Sequence, residues 1–357
     1  MKRTQWVGQV CFVVLGFVLF GAIGLKAEQK QSKVPVASES LQKQNDELFK
    51  TLQTVHGYSD DQMAAIRKIF ATSGFVGQGN PSVTKHPATP GECREKLSKA
   101  SISYDNADFE KICGAKYMAP IYNTTRDPKE TMSQAKVCID QFEFPNIPCE
   151  YPVVWVRAKE TVEICEALGK RLCDAHEWEG ACAGSLEDPD YQFEFAKNLS
   201  PNAAVEKLRL IHNRARADKK VWAYGPTYKT GICGGASTKD KACNGGNWKT
   251  CGSNTYPTGY FPDCHSPLYV YDQHGNAAEH MNLPLKESQM ASFGSKGNRE
   301  YGYTEMKGSW FIFDHFKAHE DFCRWRAPYW HGSRVMDPQS HHNYHLGFRC
   351  CKDVKTP

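Results

Sequence analysis

The sequence predicts an α+β fold with little regular secondary structure, cross-linked by disulfides and preceded by a small, partly helical region. Three observations carry this expectation. Of the 15 cysteines, Cys11 lies in an apolar N-terminal stretch and all the others follow it. From about residue 136 onward, short strand-like and helix-like patterns alternate with turns rich in Gly, Asn and Pro. Residues 231–263 are dense in Gly and Cys, a composition that keeps its shape through cross-links, bound ions and turn hydrogen bonds more than through regular elements.

The elements follow in chain order. Lys2 and Arg3 precede an apolar run over 7–25, and Leu25-Lys26-Ala27 resembles a cleavage site. A positive start, an apolar core and a small residue describe a secretory signal. The run is also nearly the ~20 residues a helix needs to span a bilayer, so an uncleaved signal-anchor is the alternative for 1–27. In both readings the body is exported: periplasmic, secreted or membrane-anchored. Residues 28–130 read as a linker followed by a small helical and irregular region, with 28–41 polar and lacking apolar periodicity. Ser59-Asp60-Asp61-Gln62 has the pattern of a capping box. Met63, Ile66, Ile69 and Phe70 follow at helical spacing up to Gly74, as in an amphipathic helix packed on the body or on a partner. Residues 77–91 read as a loop, and Cys93 and Cys113 as a staple of a short segment.

The third region, 131–357, opens with a strand-like alternation over 137–144. A helix over 161–168 ends at Gly169, and Asp174 caps a second one through Glu177, Trp178 and Cys182. Cys233, Cys243, Cys251 and Cys264 read as staples. The neighbours Cys350 and Cys351 are expected to pair with different partners, giving up to seven disulfides whose connectivity order alone does not fix. No C-x-x-C occurs and no internal repeat is present. The 44 Lys+Arg against 40 Asp+Glu give a net charge of +4, too small to argue for nucleic acid, and no basic run supports it. Aromatic content of 12% excludes wholesale disorder.

Four blocks of this region resemble the formylglycine-generating-enzyme, or sulfatase-modifying-factor, family. Residues 169–179 read GKRLCDAHEWE, similar to a GKRLPTEAEWE pattern with Cys173 in place of Pro. Residues 271–280, YDQHGNAAEH, are similar to YDMxGNVWEW. Lys307-Gly308-Ser309-Trp310 is similar to GGSW, and Leu346-Gly347-Phe348-Arg349-Cys350 contains the terminal GFRC. The blocks stand in the family's order.

The resemblance implies a C-type-lectin-like fold. It also implies structural calcium, held through Asp272, Gly275, Ala277 and Glu279, since hard cations take six to eight oxygens and a tight Gly-Asn turn aims carbonyls inward. The best-known members oxidise a cysteine in a sulfatase precursor with dioxygen and copper held by two cysteines; others use iron. This sequence departs from that pattern. The position three after the family serine is Ile312, which cannot coordinate copper. Cys323, just before Arg324-Trp325-Arg326, is the nearest match to the second cysteine. One thiolate is a poor substitute for two. His315, His319, His331, His341, His342 and His345 are candidate replacements, and His315 and His319 would share a helix face beside Cys323. Spacing alone also suits surface loops and core histidines.

Two functional readings result. The first is a metal- and dioxygen-dependent oxidoreductase acting on a cysteine-containing peptide or another sulfur-bearing substrate. Cys323 would ligate copper or iron, Ser309 would line the groove, and Arg324 and Arg326 would position the substrate. The second is a calcium-stabilised, non-catalytic module that has lost the copper pair and binds a peptide, glycan or envelope protein. In a variant of it, 28–132 serves as a partner-binding arm in envelope assembly. Arg349 reads as a structural ion pair, and Trp178 and Trp310 as core.

Overall fold

The computed structural model describes residues 39–244, 247–327 and 333–354; the expected signal or anchor, most of the expected linker and His331 lie outside them. Two helices lead. Helix α1 (Glu39–His56) begins inside the segment read as linker, because Leu41, Leu48, Phe49 and Leu52 make one apolar stripe that the polar composition obscures. Helix α2 (Asp60–Ser73) starts at the expected capping box, with both Ser59 and Gln62 bonds made, and stops at Gly74 in the left-handed conformation (φ 77°). Its Met63, Ile66 and Phe70 meet α1, with the Phe49 and Phe70 rings 5.0 Å apart edge to face.

Cys93 on α3 (Pro90–Lys99) and Cys113 on α4 (Ala107–Cys113) do not staple their own segment. They bond to Cys149 and Cys138, because the inner faces of these helices pack on the chain that follows. That chain builds two small sheets. In the first, β1 (Met118–Ile121), β2 (Val137–Asp140), β7 (Cys350–Asp353) and β3 (Arg171–Leu172) lie side by side in that order, all antiparallel. The second places β4 (Ala278–Leu283) between β5 (Tyr303–Lys307), antiparallel, and β6 (Leu346–Phe348), parallel. The strand expected over 137–144 ends at Asp140, where the side chain of Asn146 accepts from the Phe142 amide and turns the chain.

Helix α5 (Ala158–Ala167) starts earlier than its apolar pattern, because Glu160 reaches back to the Arg157 amide. Gly169 is left-handed as expected (φ 74°). Asp174 precedes α6 (Ala175–Ala183), and the Glu177 carboxylate accepts from the Asp174 amide. Besides α1, two further helices went unexpected: α7 (Phe193–Ala196) and the longer α8 (Pro201–Arg216), whose Ala204, Val205, Leu208 and His212 are buried at helical spacing. The chain over 217–277 contains one 3-10 turn, Lys241–Cys243, and no α-helix or strand among its described residues, as its Gly and Cys density predicted.

Seven disulfides cross-link the described chain. Successive β7 side chains point to opposite faces of the sheet, so Cys350 bonds to Cys165 of α5 while Cys351 bonds to Cys173. Cys233–Cys264 and Cys243–Cys251 staple the turn-rich stretch. This density of cross-links places the protein in an oxidising environment. Among the described residues no helix is long and apolar enough to cross a membrane.

Candidate functional site

The turn after β5 brings Ser309 inward. Gly308 is left-handed (φ 74°), and a Cβ there would stand 2.7 Å from the Gln273 carbonyl. Ser309 is buried, accepts from the Gly275 amide at 2.9 Å and donates to Asp321 Oδ2 at 3.0 Å. Asp321 Oδ1 accepts from Trp222 Nε1 at 2.9 Å. Burial works against the Asp321 carboxylate, but donors from His274, Trp222 and Ser309 outweigh it and hold its pKa below the usual range. His274 Nε2 accepts from the Ala223 amide at 3.0 Å, so the ring proton sits on Nδ1, 3.6 Å from Asp321 Oδ2. His274, Ser309, Asp321 and Tyr224 border a cavity of about 10 Å³, room for one water molecule.

The expected metal ligand stands beside this cluster in another bonding state. Cys323 is joined to Cys182 of α6, both fully buried. It therefore presents no thiolate, and the imidazole at its sulfur is His274, not His315 or His319. His315 Nε2 meets the Ala236 carbonyl, while His319 stacks on Trp325 at 4.7 Å. Ile312 is in the main apolar core with Trp310, Phe311 and Phe313. These residues do not fit the copper pair of the oxidases.

Arg324 and Arg326 are not free for a substrate. Arg326 is 1% exposed; its Nε donates to Glu179 at 3.0 Å and its Nη2 to Asp190 at 2.8 Å. Lys307 of β5 adds a third contact to Glu179, at 3.0 Å. Burial raises Glu179, but Arg326 and Lys307 pull it far below the usual carboxylate range. Arg324 donates to the Ser185 carbonyl at 2.7 Å and pairs with Glu187 at 3.0 Å. Both arginines hold the loop after α6 in place.

The expected calcium residues surround a second cluster. Asp272 sits at φ 56° and accepts from the Gly259 amide at 2.6 Å. Glu279 opens onto Arg349, whose Nη2 and Nε donate at 2.6 and 2.7 Å, and also accepts from Trp178 Nε1 at 2.8 Å. Arg349 is thus the structural ion pair the sequence suggested. Gly275 and Ala277 flank Asn276, whose side chain donates to Glu143 at 2.9 Å; the Ala277 amide donates to Glu143 at 2.8 Å. Sequence reasoning missed Glu143, although it extends the alternation begun at Val137. Three buried carboxylates thereby face one guanidinium. Burial pushes Asp272 up to about 7 against the Gly259 bond and Arg349, with Glu279 adding to the rise. Burial, then Asp272 and Glu279, drives Glu143 well above its usual value.

For calcium, Asp272 and Glu143 offer hard oxygens whose raised proton affinity marks a shortage of nearby positive charge, but Asp272, Glu143 and Glu279 do not bring one oxygen each within 4.8 Å of one another. Glu279 fits less well, since three donors already occupy its two oxygens. A third feature is a groove of about 560 Å³ lined by Leu199, Leu285, Tyr301, Tyr303, Arg334 and Met336, within the size range of ligand sites.

A model of the sulfatase-modifying factor enzyme 1-like domain matches residues 96–354. The chain belongs to this family. The match begins inside the segment assigned by sequence to the N-terminal region, consistent with the disulfides that tie α3 and α4 to the strands. Among solved structures, "Crystal Structure of CarF" superposes with a TM-score of 0.36 at 11% identity, covering 66% of this chain and 93% of that one. No curated protein matches. Family membership accounts for the four sequence blocks. Within the family, this chain has Ile312 and a closed Cys182–Cys323 disulfide near the serine block.

Proposed function

We propose that the protein is an exported, non-catalytic binding or assembly module built on the sulfatase-modifying-factor scaffold. The observation that carries this reading is the pair Ile312 and Cys323: one is an apolar core residue and the other is locked to Cys182. Neither offers the thiolate that the family's copper chemistry needs. The oxidoreductase reading loses its substrate arginines as well, because Arg324 and Arg326 are spent on internal carboxylates and a carbonyl. The groove beside Tyr301 and Tyr303 is the surface offered to a partner. Its apolar floor, tyrosines and exposed Arg334 suit a peptide segment that alternates apolar and acidic side chains. Calcium at Asp272 and Glu143 would stiffen the loop-rich half, and the apolar run over 7–25 would direct export or anchor the body to a membrane.

Two measurements test this reading. Purified protein is incubated with a cysteine-containing peptide, dioxygen and either copper or iron, and the peptide is examined by mass spectrometry for conversion of its cysteine to an aldehyde. No conversion is expected; turnover above the metal-only control overturns the module reading. Binding of an acidic, leucine-rich synthetic peptide is then followed by calorimetry in wild type and in Arg334→Glu. Charge reversal is expected to weaken binding at least ~10-fold, as for a like-charge contact. Equal affinities would remove the groove from the proposal.

A further inference from the structure

Helices α7 and α8 carry three of the exposed large apolar side chains among the described residues: Phe195, Leu210 and Ile211, at 42%, 50% and 43% exposure. Helix α8 is settled on the body by its inner face, where Ala204, Val205, Leu208 and His212 are buried and Arg209 pairs with Glu305 at 3.1 Å. Lys207, Leu210, Ile211 and Arg214 follow at i, i+3, i+4 and i+7, which gathers them in one outward stripe, and all four are exposed. Neither Leu210 nor Ile211 lines the groove beside Tyr301. They stand on the convex side of a helix whose apolar packing is already complete. The surrounding segment is basic. Residues 193–220 hold seven Lys and Arg against three Asp and Glu, a net +4 that matches the charge of the whole chain. Within it Arg216 and Lys220 are tied to Glu187 and Glu320, whereas Lys207, Arg214 and Lys219 stand exposed, and Glu206 is the single acid of α8.

We propose that the outward stripe of α8 docks on an anionic phospholipid surface. A convex helix with adjacent Leu and Ile between a Lys and an Arg suits the boundary between headgroups and acyl chains. The apolar pair enters that boundary, while the stems of Lys207 and Arg214 lie along it and keep their charges among the phosphates. Each cation adds an attraction that falls off within a Debye length of the surface. Two apolar side chains and a few cations make a reversible contact, not an insertion. The chain ahead of the body favours a membrane over an acidic protein as the occupant. Residues 26–38 separate the apolar run over 7–25 from Glu39, at most ~45 Å of extended chain, so a bilayer that holds the run stays within reach of the body. A tether of that reach turns a weak contact into an intramolecular one. The stripe uses neither the groove nor Ile312 and Cys323, so it goes beyond the binding reading above and stands or falls separately from it.

The test uses the full exported chain with vesicles of phosphatidylcholine alone, or of equimolar phosphatidylcholine and phosphatidylglycerol. Accessible amines are acylated and the rate at Lys207 is read by peptide mass spectrometry, with near-ultraviolet circular dichroism reporting the fold. The anionic vesicles are expected to slow labelling of Lys207 at least ~10-fold relative to the neutral ones, and added salt to restore it. Arg214→Gln should reduce that protection ~5-fold, the worth of one cation near an anionic surface. Leu210→Glu combined with Ile211→Glu should abolish it. Leu210→Ser with Ile211→Ser supplies the same answer if the charged pair disturbs the fold. Equal labelling on the two kinds of vesicle overturns the proposal. So does protection that survives both double variants. Soluble polyglutamate that protects Lys207 as strongly as the anionic vesicles also overturns it, by making the stripe a dock for acidic protein.

Discussion

Two buried charge networks in this protein have the same parts and opposite balance. Around Glu179 and Asp190, two carboxylates meet Arg326, Lys307 and the ring of His212. Around Glu279, three carboxylates (Glu143, Asp272 and Glu279) meet Arg349 alone. The first network holds Glu179 and Asp190 well below the ordinary carboxylate range despite burial. In the second, burial wins and Asp272 rises to about 7. Burial alone therefore does not set the protonation state; the count of cations within reach does. The balanced network is a fixed strut. The overloaded one has room for a proton or a cation.

The largest expected effect breaks the strut. Arg326→Met leaves Glu179 buried with Lys307 and the ring of His212 as its remaining partners and should cost roughly 3–5 kcal/mol in chemical denaturation, the range for a buried charge pair with one member removed. A loss under about 1 kcal/mol would show that Lys307 and His212 suffice. The next change relieves the overload. Asp272 carries a folded pKa of about 7 against 3.8 for the unconstrained group, so without divalent cations its contribution is complete below pH 4 and is lost as pH rises through 7. Asp272→Asn, which the left-handed backbone at that position tolerates, should flatten that fall and stabilise the chelator-treated protein at pH 8 by no more than about 4 kcal/mol. The strut has the opposite sign: the stability from Glu179 and Asp190 is present above the normal carboxylate range and disappears in strong acid.

Calcium sharpens the same contrast. At a hundredfold excess over its dissociation constant, it should stabilise the wild type at pH 8 by about 2.7 kcal/mol in differential scanning calorimetry, and Asp272→Asn by less. An unmoved wild type would leave the surplus charge to protons. The smallest effect is a calibration on the exposed surface: Ser59→Ala removes the α2 capping box and should cost about 1 kcal/mol in the same denaturation assay.

Several features of the fold were legible in the chain. The capping box at Ser59, the left-handed Gly74 and Gly169, and the divergent pairing of Cys350 and Cys351 follow from local stereochemistry and strand alternation. The lack of regular elements over 231–263 follows from composition. Helices α1 and α8 were missed although Leu41, Leu48 and Leu52, and Ala204, Val205 and Leu208, stand at helical spacing. Their stripes are narrow and sit in strongly polar sequence, so composition masked the period. Cys93 and Cys113 were paired wrongly because sequence nearness says nothing about which way a helix face points.

The sequence by itself determined the family, the even set of cross-linking cysteines and the short elements, because these depend on residue type and spacing within one segment. The tertiary structure decided what each singled-out side chain does. Cys323 faces Cys182 and His274, Arg324 and Arg326 turn inward, and Glu143 joins Asp272 and Glu279, through contacts between residues tens to hundreds of positions apart. A thiol, a guanidinium or a carboxylate takes its chemistry from the charges and donors around it. In a loop-rich fold those neighbours come from distant segments, and no local pattern encodes them.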